Sequence, residues 1–126
     1  MNNKFQISWV LEACRPKELA WFYSKIFFGE IQEGKTNNHW LVLCPNGIKI
    51  QIYRPSFSRD TSIKGRAMAP CLEAVASSNP LTALHKLILT FEEMGAVLLE
   101  GPKIEDFGAE SWMADPEGNA FLILVP

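Results

Sequence analysis

No apolar run in this chain is long enough to cross a bilayer. The opening residues, Met1 to Gln6, lack the apolar centre of a signal peptide, so the cytoplasm is the expected compartment. No excess charge of either sign is present. The formal net charge is −2, which steers the chain toward neither nucleic acid nor a membrane surface. Cysteine is sparse: Cys14, Cys44 and Cys71 are odd in number and show no CxxC spacing. That excludes a disulfide framework and leaves buried, reduced thiols as the expectation. Histidine is scarcer still, with only His39 and His85. What is present is ordinary for one soluble domain: 126 residues, 48% hydrophobic and 21% charged, enough to bury a core.

Local patterns divide the chain into short elements. Phe5 to Ala13 is rich in β-formers and predicts a strand. Pro16 suits the first turn of a helix whose apolar face is Leu19, Phe22, Tyr23, Ile26 and Phe27, with Gly29 as its stop. Glu30 to Lys35 predicts a short exposed strand, followed by a turn at Thr36-Asn37-Asn38. Trp40 to Cys44 predicts a strand. The turn Pro45-Asn46-Gly47 leads into Ile48 to Tyr53, which alternates strictly.

Pro55 to Pro70 is polar and reads as a linker, after which the order begins again. Cys71 to Ala76 predicts a strand. Ser77-Ser78-Asn79 offers a helix cap before Pro80. Leu81, Leu84, Ile88, Phe91 and Met94 form the helix stripe, and Gly95 ends it. Ala96 to Leu99 predicts a strand, Glu100 to Phe107 a loop, and Gly108 to Ala114 another strand. The turn at Asp115 to Asn119 feeds an apolar run to Pro126.

Strand, helix and three strands therefore occur twice, an internal repeat. Pro45 and Pro116 are 71 positions apart, and so are Pro55 and Pro126. Under that offset Gln51 corresponds to Leu122. The expected organisation is one domain over 1–126, with repeat one at about 5–55, a linker at 56–70 and repeat two at about 71–126.

A duplicated βαβββ unit resembles the vicinal oxygen chelate superfamily of glyoxalase I, bleomycin-resistance proteins and extradiol dioxygenases. Asp115-Pro116-Glu117-Gly118-Asn119 resembles that family's Asp-Pro-x-Gly-Asn turn, and Phe22-Tyr23 followed by Gly29 resembles its helix end. The resemblance implies an α+β fold in which two βαβββ repeats form an open-barrel concave sheet with the helices outside. Members with metal chemistry hold a divalent ion through four side chains, from the first and last strands of each unit. Here those places fall on Ser8, Gln51, Cys71 or Leu72, and Leu122. Gln51 alone is an acceptable ligand, and Leu122 has no donor atom. The chain therefore resembles members that lack the metal ligands, and neither metal nor cofactor is expected. His39 beside a turn and His85 on a helix fall away from the four places and are expected to be structural or solvent-facing.

Parity then assigns faces. Ile7, Trp9, Leu11 and Ala13 should meet the helix, as should Ile48, Ile50, Ile52, Phe121, Ile123 and Val125. The candidate ligand-binding residues on the concave side are Ser8, Glu12, Lys49, Gln51, Tyr53, Cys71, Glu73 and Leu122, with Trp40 and Trp112 as stacking walls. Trp9 and Trp21 are expected in the core. The implied function is metal-independent binding of an amphiphilic or aromatic small molecule, with a homodimer as the expected assembly. The alternative is a lyase, isomerase or dioxygenase relative with an atypical site, in which Glu12 or Glu73 serves as base or Cys71 takes part.

Overall fold

The computed structural model describes residues 6–56 and 64–126. The expected start of the first strand at Phe5 and the 57–63 part of the expected linker lie outside them. The chain forms two compact units.

The first unit contains β1 (Trp9–Glu12), α1 (Pro16–Phe27), β2 (Glu30–Glu33), β3 (His39–Leu43) and β4 (Lys49–Tyr53). Its sheet has the order β1-β4-β3-β2, with β1 parallel to β4 and the other pairs antiparallel. The second contains β5 (Cys71–Glu73), α2 (Pro80–Glu93), β6 (Val97–Glu105), β7 (Gly108–Ala114) and β8 (Ala120–Val125). Its order β5-β8-β7-β6 repeats the same wiring, so both units are βαβββ.

Each helix buries its apolar stripe on one face of its own sheet. In the first unit α1 packs on β3 and β4, and Leu19, Phe22, Tyr23, Val42, Ile50 and Ile52 are all buried. In the second, α2 packs on β6, β7 and β8 over buried Leu84, Ile88, Phe91, Met113, Phe121 and Ile123. Each such side chain contributes about 1.5–3 kcal/mol of transfer free energy relative to exposure.

The helix boundaries follow from their end residues. Asn79 caps α2 by accepting the Thr82 N–H on its side-chain oxygen at 3.3 Å, with Pro80 just inside the first turn. For α1 the expected stop at Gly29 moves by one residue, because Phe28 takes the left-handed conformation at φ 52. Gly29 is instead needed for close approach: a Cβ there would lie 2.9 Å from Val42 Cγ1.

The two turns that reveal the repeat have the same backbone bonds. Gly47 N–H donates to Cys44 O at 3.0 Å, and Cys44 N–H to Ile48 O at 2.9 Å. Gly118 N–H donates to Asp115 O at 2.9 Å, and Asp115 N–H to Asn119 O at 2.8 Å. Gly47 and Gly118 have φ of 87° and 89°, which an L side chain would strain. The 71-residue offset is therefore conformational, not only compositional.

Four expectations need correction. The loop expected at Glu100 to Phe107 is mostly strand, because β6 continues to Glu105. It accommodates Gly101 and Pro102 by shifting register between Leu98 and Glu100 and between Glu100 and Lys103, at the edge of the sheet where a missing N–H is tolerated. Trp9 and Trp21 are not core residues; they are 43% and 52% exposed. Trp9 does pair with Ile50 on the helix side, but β1 is an edge strand and its start is open to solvent. Of the cysteines only Cys44 is buried; Cys14 and Cys71 are exposed, and all three are free thiols. Ile7 and Ile48, expected against the helix, are 84% and 43% exposed. No helix among the described residues is long and apolar enough to cross a membrane.

Candidate functional site

The face of each sheet opposite its helix holds the remaining side chains, and register shows which ones share it. In the first unit Val10 pairs with Gln51 and Glu12 with Tyr53, while Gln51 pairs with Leu41 and Tyr53 with His39. Ser8, Val10, Glu12, His39, Leu41, Lys49, Gln51 and Tyr53 therefore lie on one side by alternation. Ser8, Glu12, Lys49, Gln51 and Tyr53 fall together there. Trp40 does not. It pairs with Ile52 on the helix side, where Lys17 of α1 lies 5.3 Å from its ring centre and its indole N–H donates to Asn37 O at 2.9 Å. One residue of strand parity separates Trp40 from the face assigned to it.

The residue it displaces is its neighbour. His39, expected away from the site, lies within it. Its Nε2 is 3.0 Å from Gln51 Oε1, and Gln51 Nε2 donates to Ser8 Oγ at 2.8 Å. On the other side of the imidazole, the Lys35 N–H donates to Nδ1 at 3.2 Å. A backbone N–H can only donate, so Nδ1 is the acceptor and the neutral ring carries its proton on Nε2. Three side chains, from β3, from β4 and from the residue just before β1, thus form one row on the helix-free face. Residues 34–38 bring β2 back as β3, and that turn supplies the Lys35 N–H.

In the second unit Cys71 pairs with Leu122 and Leu122 with Trp112, while Glu73 pairs with Leu124 and Leu124 with Glu110. Those six residues share the helix-free face. The Trp112 ring is covered by the Arg66 guanidinium at 5.1 Å, and Arg66 also pairs with Glu100. A cation on the ring face and a carboxylate behind it hold each other in place. The Cys71 thiol is pushed above its ordinary range, first by desolvation and then by the carboxylates of Glu73 and Glu110. At neutral pH it is a thiol rather than a thiolate. Alkylation of Cys71 by iodoacetamide is accordingly expected to be slow at pH 7 and to accelerate only above the ordinary thiol range. Glu73→Gln should move that profile to lower pH, and an unchanged profile would count against the carboxylate's role.

The turn at Asp115 to Asn119 has a structural task. Asp115 is 2% exposed, and its Oδ1 accepts the N–H groups of Glu117 and Asn119, each at 2.9 Å. Asn119 Nδ2 donates to Oδ2 at 2.9 Å. The carboxylate is a knot for the β7–β8 turn.

No family model and no curated protein matches this sequence. Solved structures do match over nearly its whole length. The fosfomycin resistance protein FosX from Listeria monocytogenes superimposes with a TM-score of 0.70 at 12% identity, covering 99% of this chain and 93% of that one. A glyoxalase/bleomycin resistance protein from Albidiferax ferrireducens T118 gives 0.63 at 16% identity, covering 95% and 98%. TnmS3, an antibiotic binding protein from Streptomyces sp. CB03234, gives 0.62 at 13% identity, covering 99% of each chain. The chain has the vicinal oxygen chelate fold.

With that fold in hand, the metal places can be tested by their chemistry. The resemblance puts those of the first unit at Ser8 and Gln51, where the Gln51 amide oxygen accepts from His39 and its amide nitrogen donates to Ser8. An ion there would share with the His39 N–H a single weak, neutral oxygen donor. In the second unit Leu122 has no lone pair to offer, and its register partner Cys71 holds its proton. No group of three or more His, Cys, Asp or Glu side chains that could hold an ion occurs among the described residues. The residues present do not fit the ion that the fold's metalloenzymes bind.

Proposed function

We propose that the chain is a metal-independent, cytoplasmic binding protein for an amphiphilic or aromatic small molecule, with the helix-free sheet faces as its contact surfaces. One observation carries this reading: Gln51 is the single usable donor among the family's metal places, its amide oxygen already accepts from His39, and Leu122 at the matching place has no lone pair. A polar row set among Val10 and Leu41 suits a ligand with an apolar body and a few polar handles. The similar structures include an antibiotic binding protein and an antibiotic resistance protein, which supports the same direction. The enzymatic alternative gains nothing from Cys71, whose raised thiol is a poor nucleophile.

The test is metal analysis of the purified protein, combined with tryptophan-emission titration against small aromatic ligands. The expected result is no stoichiometric metal, and a quench that is reduced in Trp112→Phe. Stoichiometric nickel, zinc or iron that disappears in Gln51→Ala would overturn the reading. Light scattering on the same sample should give a homodimer; the exposed Trp9 on the helix side of β1 supports that assembly.

A further inference from the structure

We infer that the first unit reads an oxygen acceptor on its ligand through the hydroxyl of Ser8, whose proton is aimed outward by the Lys35–His39–Gln51 chain of hydrogen bonds. This rests on the small-molecule reading above and adds the chemistry of one contact.

The polarity of the row follows from its first member. The Lys35 N–H is fixed as a donor by the backbone, so His39 Nδ1 must accept. The neutral imidazole then has its proton on Nε2, and that N–H donates to Gln51. An amide receives a hydrogen bond only on its oxygen, so Gln51 is held with Oε1 toward His39 and Nε2 toward Ser8. Gln51 therefore donates to Ser8 Oγ, and Ser8 need not spend its own proton within the row. Among the described residues no acceptor takes that proton. Without His39 the amide could turn over, Ser8 would donate to it, and the outward donor would become an acceptor.

Two further features suit a ligand. A hydroxyl that already accepts a hydrogen bond is a stronger donor, because successive bonds polarise one another. The hydroxyl also lies beside Val10, which is 59% exposed on the same face and offers an apolar surface to the rest of the ligand. The preferred ligand group is a carbonyl or carboxylate oxygen attached to an apolar body. A group that can only donate would meet the Ser8 lone pairs, one of which is already in use. His39 is a positioning residue here, and Ser8 is the contact.

A matched pair of neutral probes tests this: 2-acetylnaphthalene and 2-ethylnaphthalene, which differ in a carbonyl oxygen. Binding is read from amide chemical-shift titrations of the intact protein. The wild type is expected to favour the acetyl compound by about three- to tenfold, the worth of one neutral hydrogen bond. Ser8→Ala should reduce that preference to about one, and Ser8→Thr, which keeps the hydroxyl, should restore it. His39→Phe should remove the preference. The double variant should lose nothing more, because both changes act on one contact. Imidazole nitrogen shifts should show Nδ1 bare and Nε2 protonated in the free protein.

A preference that survives Ser8→Ala, losses in the two single variants that multiply, or a proton on Nδ1 would each overturn the inference. If both probes bind the wild type equally, the inference falls and the small-molecule reading stands. If neither binds up to its solubility limit, both fall. Should His39→Phe fail to fold, the Ser8→Ala and Ser8→Thr pair decides alone.

Discussion

Asp115→Ala is expected to lower the unfolding free energy by about 2–4 kcal/mol, read as a fall in the urea midpoint. The carboxylate is buried and accepts two backbone N–H groups and the Asn119 amide. Alanine removes the acceptors and leaves those donors enclosed, and the loss of a charged acceptor is more costly than that of a neutral one. Asp115→Asn should fall between, since an amide oxygen can serve only part of the set. The result matters for function because this turn carries the family resemblance. Full stability with a lost ligand response would mean that Asp115 belongs to the binding machinery rather than to the turn.

Phe121→Ala should cost more, about 3–5 kcal/mol, while its neighbour Leu122→Ala should cost about 1 kcal/mol. Phe121 is 0% exposed and meets the Phe91 ring edge-on at 6.0 Å, so truncation opens a cavity between α2 and β8. Leu122 lies on the other face, beside Cys71 and Trp112, and is only half-buried. Urea midpoints of the two variants separate the faces of one strand. Equal losses would contradict the face assignment and mean that both sides of β8 are packed core.

The residues that were legible in advance share a reason. Ile50 and Ile52, like Phe121 and Ile123, have a period of two against a helix stripe, and both patterns are properties of neighbouring residues in the chain. The repeat was legible because its turns need a residue at positive φ, which Gly47 and Gly118 supply at matching positions. The end of β6 was not. Gly101 and Pro102 oppose strand propensity, and only an edge position with register shifts lets the strand continue through them.

His39 and Trp40 exchanged their expected roles for a different reason. Counting outward from the turn at Pro45-Asn46-Gly47 pairs Leu43 with Lys49, Leu41 with Gln51 and His39 with Tyr53. That count puts His39 on the face of Gln51 and Trp40 on the face of the helix. The signal is therefore present in the sequence, and strand parity, not the aromatic character of Trp40, decides its face. The exposure of Trp9 had no such signal, because an edge strand and an inner strand can share one sequence pattern.

By itself the sequence determined the duplicated βαβββ order, the helix-facing stripe of each unit and the lack of a donor at Leu122, all of which depend on residue type and spacing. Only the tertiary structure decided that Gln51 is hydrogen-bonded to both His39 and Ser8, that Arg66 covers Trp112, and that the Cys71 thiol lies near two carboxylates. Those facts join residues far apart in the chain, Ser8 and Gln51 among them. Their hydrogen bonds and electrostatic fields exist only once strand register brings the side chains within a few ångströms.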